Sequence, residues 1–229
     1  MIVTIDGPAG AGKSSVARTV AERLGFDFLD TGAMYRCVTL AALRGRHDWN
    51  QPDQLAQLAR HVRIRLDRGR VWLDDADVSA DIRTVLVTNL IHHAANNPAV
   101  RERMVEMQRE AGRGRDMVTE GRDQGTVAFP DAECKIFLTA SPEERARRRH
   151  AELLARGEPA TYAEILADQQ LRDERDAQRP VGPLRPAADA VTVVTDGKTR
   201  EQVIDELVGL VRDAQQRRLP TNDSRKLPP

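Results

Sequence analysis

The sequence predicts an α/β fold: a mostly parallel central sheet covered by helices on both faces. Three observations predict it. A short apolar run, Met1 to Asp6 (MIVTID), stops at once on Gly7, Pro8 and Gly10 and gives way to a helical pattern. Further short apolar runs, at Phe26–Leu29, Met117–Thr119, Lys135–Thr139 and Val191–Thr195, alternate with helical stretches rather than following one another. Each of the first three of these five runs ends in a polar or glycine-bearing loop, as strands feeding a ligand-binding edge do.

Taken in order, the first strand is followed by a helix on which Val16, Val20 and Leu24 recur at four-residue spacing, with Gly25 as its closing glycine. Phe26–Leu29 then ends at Asp30-Thr31-Gly32, and a helix is expected through Tyr35, Val38 and Ala42 to about Leu43. The pattern changes at Val62–Leu66, where apolar and basic residues alternate, and at Val71–Leu73 after Arg68-Gly69-Arg70, which reads as a hairpin. A helical stretch from Asp81 to about Ala95 precedes Pro98. Residues 58–98 are therefore expected to form an inserted small α+β subdomain beside a core of 1–57 and 99–214. After Lys135–Thr139, Ser141-Pro142-Glu143-Glu144 has the capping-box spacing, and Thr199 and Gln202 repeat it before a closing helix expected to end near Ala214. The stretch 215–229 lacks apolar periodicity and is expected to be a flexible tail.

Composition narrows the function classes. The chain has 229 residues, 40% hydrophobic and 31% charged, with 35 basic against 35 acidic residues. Such a balance lacks the basic footprint of a protein that tracks a nucleic-acid polymer. No apolar run approaches the roughly 18 residues of a membrane span, and no signal segment is evident, so a cytoplasmic protein is expected. Cys37 and Cys134 stand far apart, excluding a disulfide framework, and read as buried small apolar residues. Without sustained heptads or a broad apolar stripe, a monomer is expected. Arginine is the default base here: of 35 basic residues only Lys13, Lys135, Lys198 and Lys226 are lysine. A lysine in a special position therefore carries weight.

Lys13 is in such a position. Gly7, Pro8, Ala9, Gly10, Ala11, Gly12, Lys13 and Ser14 fit GxxxxGK[ST], with a strand before and a helix after. Glycines let successive N–H groups point inward on a phosphate chain, and the helix start adds its positive dipole end. Lys13 reaches the β- and γ-phosphates, and the Ser14 hydroxyl is the candidate Mg2+ ligand. ATP and Mg2+ are the cofactors this motif calls for. What the phosphate is used for lies elsewhere. Two strand-end loops qualify: one carries Thr31 and Arg36, the other Arg122 and Asp123, and an arginine in each suits phosphate recognition. Between Ser141 and Arg179 eight arginines and no lysine occur, interrupted by Gly157 and Pro159, and residues 145–175 are expected to form a helical, arginine-rich lid. Pairs such as Glu144–Arg148 account for most of those arginines as a solvated face.

These blocks resemble bacterial cytidylate kinases, P-loop nucleoside monophosphate kinases, from Met1 to about Arg212. The resemblance rests on TIDGPAGAGKSS (4–15), LDTGAMYR (29–36), EGRDQGTVAFPDA (120–132), SPEERARRR (141–149), RDERDAQR (172–179) and PLRPAADA (183–190). It implies that the first block, through Ser15, holds ATP and that Thr31, Arg36, Arg122 and Arg179 hold a monophosphate. Arg101 and Asp123 would contact cytosine, and Arg172 and Asp176 the sugar. Lys13, Arg122 and Arg179 would carry catalysis, and CMP and dCMP would be the acceptors in pyrimidine nucleotide metabolism. Two departures stand out: His92 occupies a position where the family has a base-contacting serine, and Ala177 one where serine is common. Two other readings remain: a P-loop kinase of a small hydroxyl metabolite, of shikimate- or gluconate-kinase type, and a nucleotide-switched binding protein, which would need an NKxD-like guanine reader that the sequence lacks.

Overall fold

The computed structural model describes residues 1–67, 69–155 and 157–218. Five strands, β1 (Ile2–Asp6), β2 (Asp27–Asp30), β6 (Met117–Gly121), β7 (Cys134–Thr139) and β8 (Val191–Val194), form one sheet in the order β2-β6-β1-β7-β8. Every pairing in it is parallel. The register sets Ile5 beside Glu120 and Asp6 beside Gly121, while Asp30 of β2 also lies beside Glu120. A carboxylate residue therefore stands last in β1 and β2 and next to last in β6, at one end of three adjacent strands.

Helices α1 (Lys13–Leu24) and α8 (Arg200–Arg218) pack against one face of this sheet, where Val16, Val20, Ile204 and Leu207 meet Val3, Ile5 and Leu138. On the other side, α2 (Thr31–Arg44), α3 (Pro52–His61), α4 (Val85–Asn96) and α5 (Pro98–Gly112) share one apolar cluster with Leu29 and Met117. A separate antiparallel sheet of β3 (Ile64–Asp67), β4 (Arg70–Leu73) and β5 (Ala76–Asp77) joins that cluster through Val71 and Leu73. The expected hairpin is present, with a third short strand. The stretch from Asp81 divides into a single 3-10 turn (Asp81–Arg83) and α4, because Thr84 is extended and caps α4 by accepting from Val87 N. Pro98 does not end a helix here; it begins α5, where a missing N–H costs nothing. Asn97 caps that helix on Ala99 and Val100.

Helices α6 (Pro142–Ala155) and α7 (Tyr162–Ala177) pack as a pair on Ala146, Leu153 and Ile165. Of the two predicted capping boxes, Thr199–Gln202 is complete in both directions. At Ser141 only half forms: Ser141 Oγ accepts from Glu144 N, but the Ser141 N–H donates to Asp196 and Glu144 turns to Arg148. A nearby carboxylate beyond the helix outcompetes the local one. Helix α8 continues to Arg218 rather than stopping near Ala214, since arginine and glutamine sustain a helix without a buried face. The rest of the expected tail, 219–229, lies outside the described residues. Cys37 and Cys134 are buried as expected, and burial pushes their thiols up to about 12 and about 11.

One packing contact constrains the loop after β1. A Cβ at Gly7, whose φ is +150°, would lie 1.9 Å from Leu138 O on β7. Gly7→Ala is expected to destabilise the fold by roughly 3 kcal/mol, combining backbone strain with overpacking. A thermal or urea unfolding midpoint equal to that of the parent chain would contradict this contact.

Candidate functional site

The site begins where β1 ends. Residues 7–14 wrap from Asp6 into α1, with Gly12 in the left-handed region (φ +85°) and open space where a side chain would stand. Lys13 is 5% exposed, and its Nζ donates to Pro8 O of its own loop at 2.7 Å. Burial, and then the neighbouring Arg122 cation, lowers its proton affinity well below that of a free lysine. Ser14 Oγ donates to Glu120 Oε1 at 2.5 Å. Glu120 is itself buried, and burial followed by the proximity of Asp30 raises its carboxyl above the usual range.

The second loop enters from β2. Asp30 caps α2 by accepting from Ala33 N at 2.9 Å, and Thr31 Oγ1 donates to Glu120 O at 2.7 Å, fastening α2 to β6. One turn further, Arg36 Nη1 donates to Thr88 Oγ1 at 2.8 Å and to Ile82 O at 3.1 Å. Burial, and then the charge of Arg172, brings the Arg36 guanidinium down to about 10.

From the end of β6, Arg122 Nε donates to Asp176 Oδ2 at 2.8 Å. Arg179 pairs with the other oxygen of the same carboxylate. Asp176 thus holds two guanidiniums; although its burial favours the neutral acid, Arg122 and then Arg179 pull its carboxyl below the usual range. The side chain of Arg172, one turn before Asp176 on α7, makes no hydrogen bond among the described residues, and burial and then Arg122 lower it. Arg122, Arg172 and Arg179 therefore crowd one carboxylate, with Arg36 beside Arg172 and Lys13 beside Arg122. Such crowding is costly unless further negative charge is brought in.

Next to this cluster, Arg101 of α5 and Asp123 form a buried ion pair over the ring of Tyr35, whose centroid is 5.6 Å from the guanidinium carbon. Arg101 is 2% exposed, and its Nε has no hydrogen-bond partner among the described residues. The structure thus brings together Lys13, Ser14, Thr31, Arg36, Arg101, Arg122, Asp123, Arg172, Asp176 and Arg179. His92 stands one turn beyond Thr88 on α4; its Nδ1 meets Asn89 O of its own helix at 2.8 Å, its ring lies 4.1 Å from that of His93, and among the described residues no hydrogen bond joins it to the cluster.

Residues that the motifs did not single out complete the arrangement. Arg145 donates to Ala9 O at 2.9 Å, to Ala140 O at 3.1 Å and to Asp173 at 2.6 Å, joining the glycine loop to α6 and α7. Gln169 stands close enough that a Cβ at Gly10 would lie 2.9 Å from its amide nitrogen. Arg147, Arg148 and Arg149 instead pair outward with Glu144 and Glu152, including the expected Glu144–Arg148 pair at 2.8 Å. Asp6 and Glu120 were also unassigned; their signal was a carboxylate at or next to the last position of two strands that turn out to be neighbours.

Among the described residues no helix is long and apolar enough to cross a membrane. A family model described as "Cytidylate kinase" matches residues 3–213. The chain is 53% identical over 216 residues to a cytidylate kinase from Rhodopirellula baltica (strain DSM 10527 / NCIMB 13988 / SH1), covering 94% of each. It is 47% identical over 215 residues to a cytidylate kinase from Desulfitobacterium hafniense (strain Y51), covering 92% of each. Among solved structures, an uncharacterized protein from Eubacterium ventriosum ATCC 27560 matches with a TM-score of 0.50 at 11% identity, covering 93% of this chain and 98% of that one. That last likeness speaks for the fold alone.

Proposed function

The chain belongs to the cytidylate kinase family, and on that premise we propose that it transfers the γ-phosphoryl group of ATP to CMP and dCMP, forming CDP and dCDP. The observation that carries this reading is the meeting of two cation groups: the glycine loop with Lys13, and the guanidiniums gathered on Asp176. One suits the triphosphate, the other a second phosphate. A monophosphate acceptor answers the crowding of Arg36, Arg122, Arg172 and Arg179 better than a neutral hydroxyl metabolite does.

A phosphate monoester has its second pKa near 6, so its oxygens are already anionic at neutral pH. The chain then needs no general base. Its residues hold two anions in line and neutralise charge as it moves: Lys13 at the donor, Arg122 and Arg179 at the transferring group, Thr31 and Arg36 at the acceptor phosphate. Arg172 and Asp176 flank the sugar. Arg145 and α7 cover the glycine loop and limit water, which would otherwise compete as acceptor. The hydroxyl–carboxylate pair of Ser14 and Glu120 is an oxygen set that suits Mg2+, an ion held by one or two protein oxygens with phosphate and water. When bound, Mg2+ supplies charge neutralisation between the β- and γ-phosphates.

Cytosine presents an N4 amino donor, and the Asp123 carboxylate, held by Arg101, is an acceptor for it. Uracil offers a carbonyl there and would leave two acceptors facing each other. In a coupled ADP-release assay with CMP, dCMP, UMP, a small hydroxyl metabolite and no acceptor, CMP and dCMP are expected to turn over. UMP is expected to show kcat/KM lower by at least ~10-fold, the scale of one misplaced base contact. Equal efficiency for UMP and CMP would remove the role assigned to Asp123. ADP release at the same rate without acceptor would remove the kinase reading itself.

A further inference from the structure

An aspartate at the start of a helical turn ordinarily accepts hydrogen bonds from the N–H groups just after it. Asp123 occupies that place before the π-helical turn Gln124–Ala128, yet its side chain takes none of those donors. They go to Asp6 instead: Gln124 N donates to Asp6 Oδ1 and Gly125 N to Asp6 Oδ2, each at 2.8 Å. Asp6 is the last residue of β1 and is 4% exposed; its register opposite Gly121 lets it reach across the end of β6 to the turn. Gly125 makes the approach possible, since a Cβ there would lie 2.9 Å from Thr4 Oγ1 and 3.4 Å from Asp6 Oδ2. With both donors of the turn satisfied by the Asp6 carboxylate of the neighbouring strand, the Asp123 carboxylate pairs instead with Arg101.

We propose that Asp6 is a positioning residue for base selection, capping the turn after Asp123 so that the Asp123 carboxylate stays turned toward Arg101 and the pyrimidine. This rests on the assignment of Asp123 as the base reader. Remove the Asp6 carboxylate, and two buried N–H groups lose their acceptor. The closest substitute is the side chain of Asp123, which can cap its own turn only by leaving Arg101. The two carboxylates compete for one pair of donors, and the strand-borne one wins because it is already fixed by the sheet.

The test is a double-mutant cycle read on the ratio of kcat/KM for CMP to that for UMP. Taking this ratio cancels whatever the lost charge does to Lys13 or to ATP, which is common to both acceptors. Asp123→Ala is expected to lower the ratio by at least ~10-fold, and Asp6→Ala by about 10-fold. Adding Asp6→Ala to Asp123→Ala is expected to leave the ratio where Asp123→Ala put it. Asp6→Asn keeps the shape and one acceptor oxygen and is expected to fall between Asp6→Ala and the parent. If Asp123→Ala lowers the ratio while folded Asp6 variants leave it unchanged, the positioning role is wrong. An equal fall in both backgrounds, or loss of fold in both Asp6 variants by circular dichroism, also overturns it. An unchanged ratio in Asp123→Ala would instead overturn the base-reader assignment beneath it.

Discussion

Replacing Lys13 by alanine is expected to lower kcat by about three orders of magnitude or more, the scale of losing a fixed charge aimed at a transferring phosphoryl group. Lys13 is held ready rather than recruited: its side-chain nitrogen is buried on Pro8 O of the glycine loop, beside Arg122. Bringing an anion to it exchanges a carbonyl contact for a charge-assisted one and relieves the repulsion from Arg122. Because the lysine is desolvated and repelled, its removal is expected to cost little stability, and the unfolding midpoint should stay close to that of the parent. Single-turnover assays with saturating ATP and CMP separate the effects. A folded Lys13→Ala protein with turnover within tenfold of the parent would contradict the role.

Arg122→Ala is expected to have the next largest effect, a fall in kcat of about 10³. This arginine closes the circuit between the two phosphate sites, lying beside Lys13 on one side and bonded to Asp176 on the other. Its removal leaves Asp176 bonded to Arg179, with Arg172 nearby, and frees α7 from the end of β6. Arg122→Lys is expected to recover little, since an ammonium cannot reproduce the planar fork that serves a carboxylate and a phosphate together. Steady-state kinetics decide the matter: a rise confined to the KM for CMP, with kcat unchanged, would reduce Arg122 to ground-state binding.

The individual strands and the donor loop were legible because each is local in sequence: β1, Gly7–Ser14 and α1 follow one another within 24 residues. The expected grouping of Thr31, Arg36, Arg122, Arg172, Asp176 and Arg179 was legible through motif resemblance, and these residues meet in the structure. Helix α3 was not seen. Its apolar face, Leu55, Ala56, Leu58 and Ala59, spans little more than one turn, too short a run for a repeating period to show. Helix α5 was hidden by Pro98, read as an interruption although proline is equally at home at a helix start. Arg145 was lost among its neighbours. Four arginines in five positions look alike in a row, and only packing reveals that one points inward to Ala9 while three pair with surface glutamates. Asp6 and Glu120 were invisible for a related reason: each carboxylate becomes notable only once β1 and β6 are known to be adjacent.

The wholly parallel sheet has a consequence for how the molecule comes into being. The glycine loop is synthesised first, yet Ser14 meets Glu120 across 106 positions and Ala9 meets Arg145 across 136. Parallel neighbours cannot be joined by a tight turn, so each of these closures waits on a long crossover and its entropic toll. A nascent chain that has left the ribosome only as far as α5 would display Gly7–Ser14 without Glu120 and Arg145, the two later residues that fasten it.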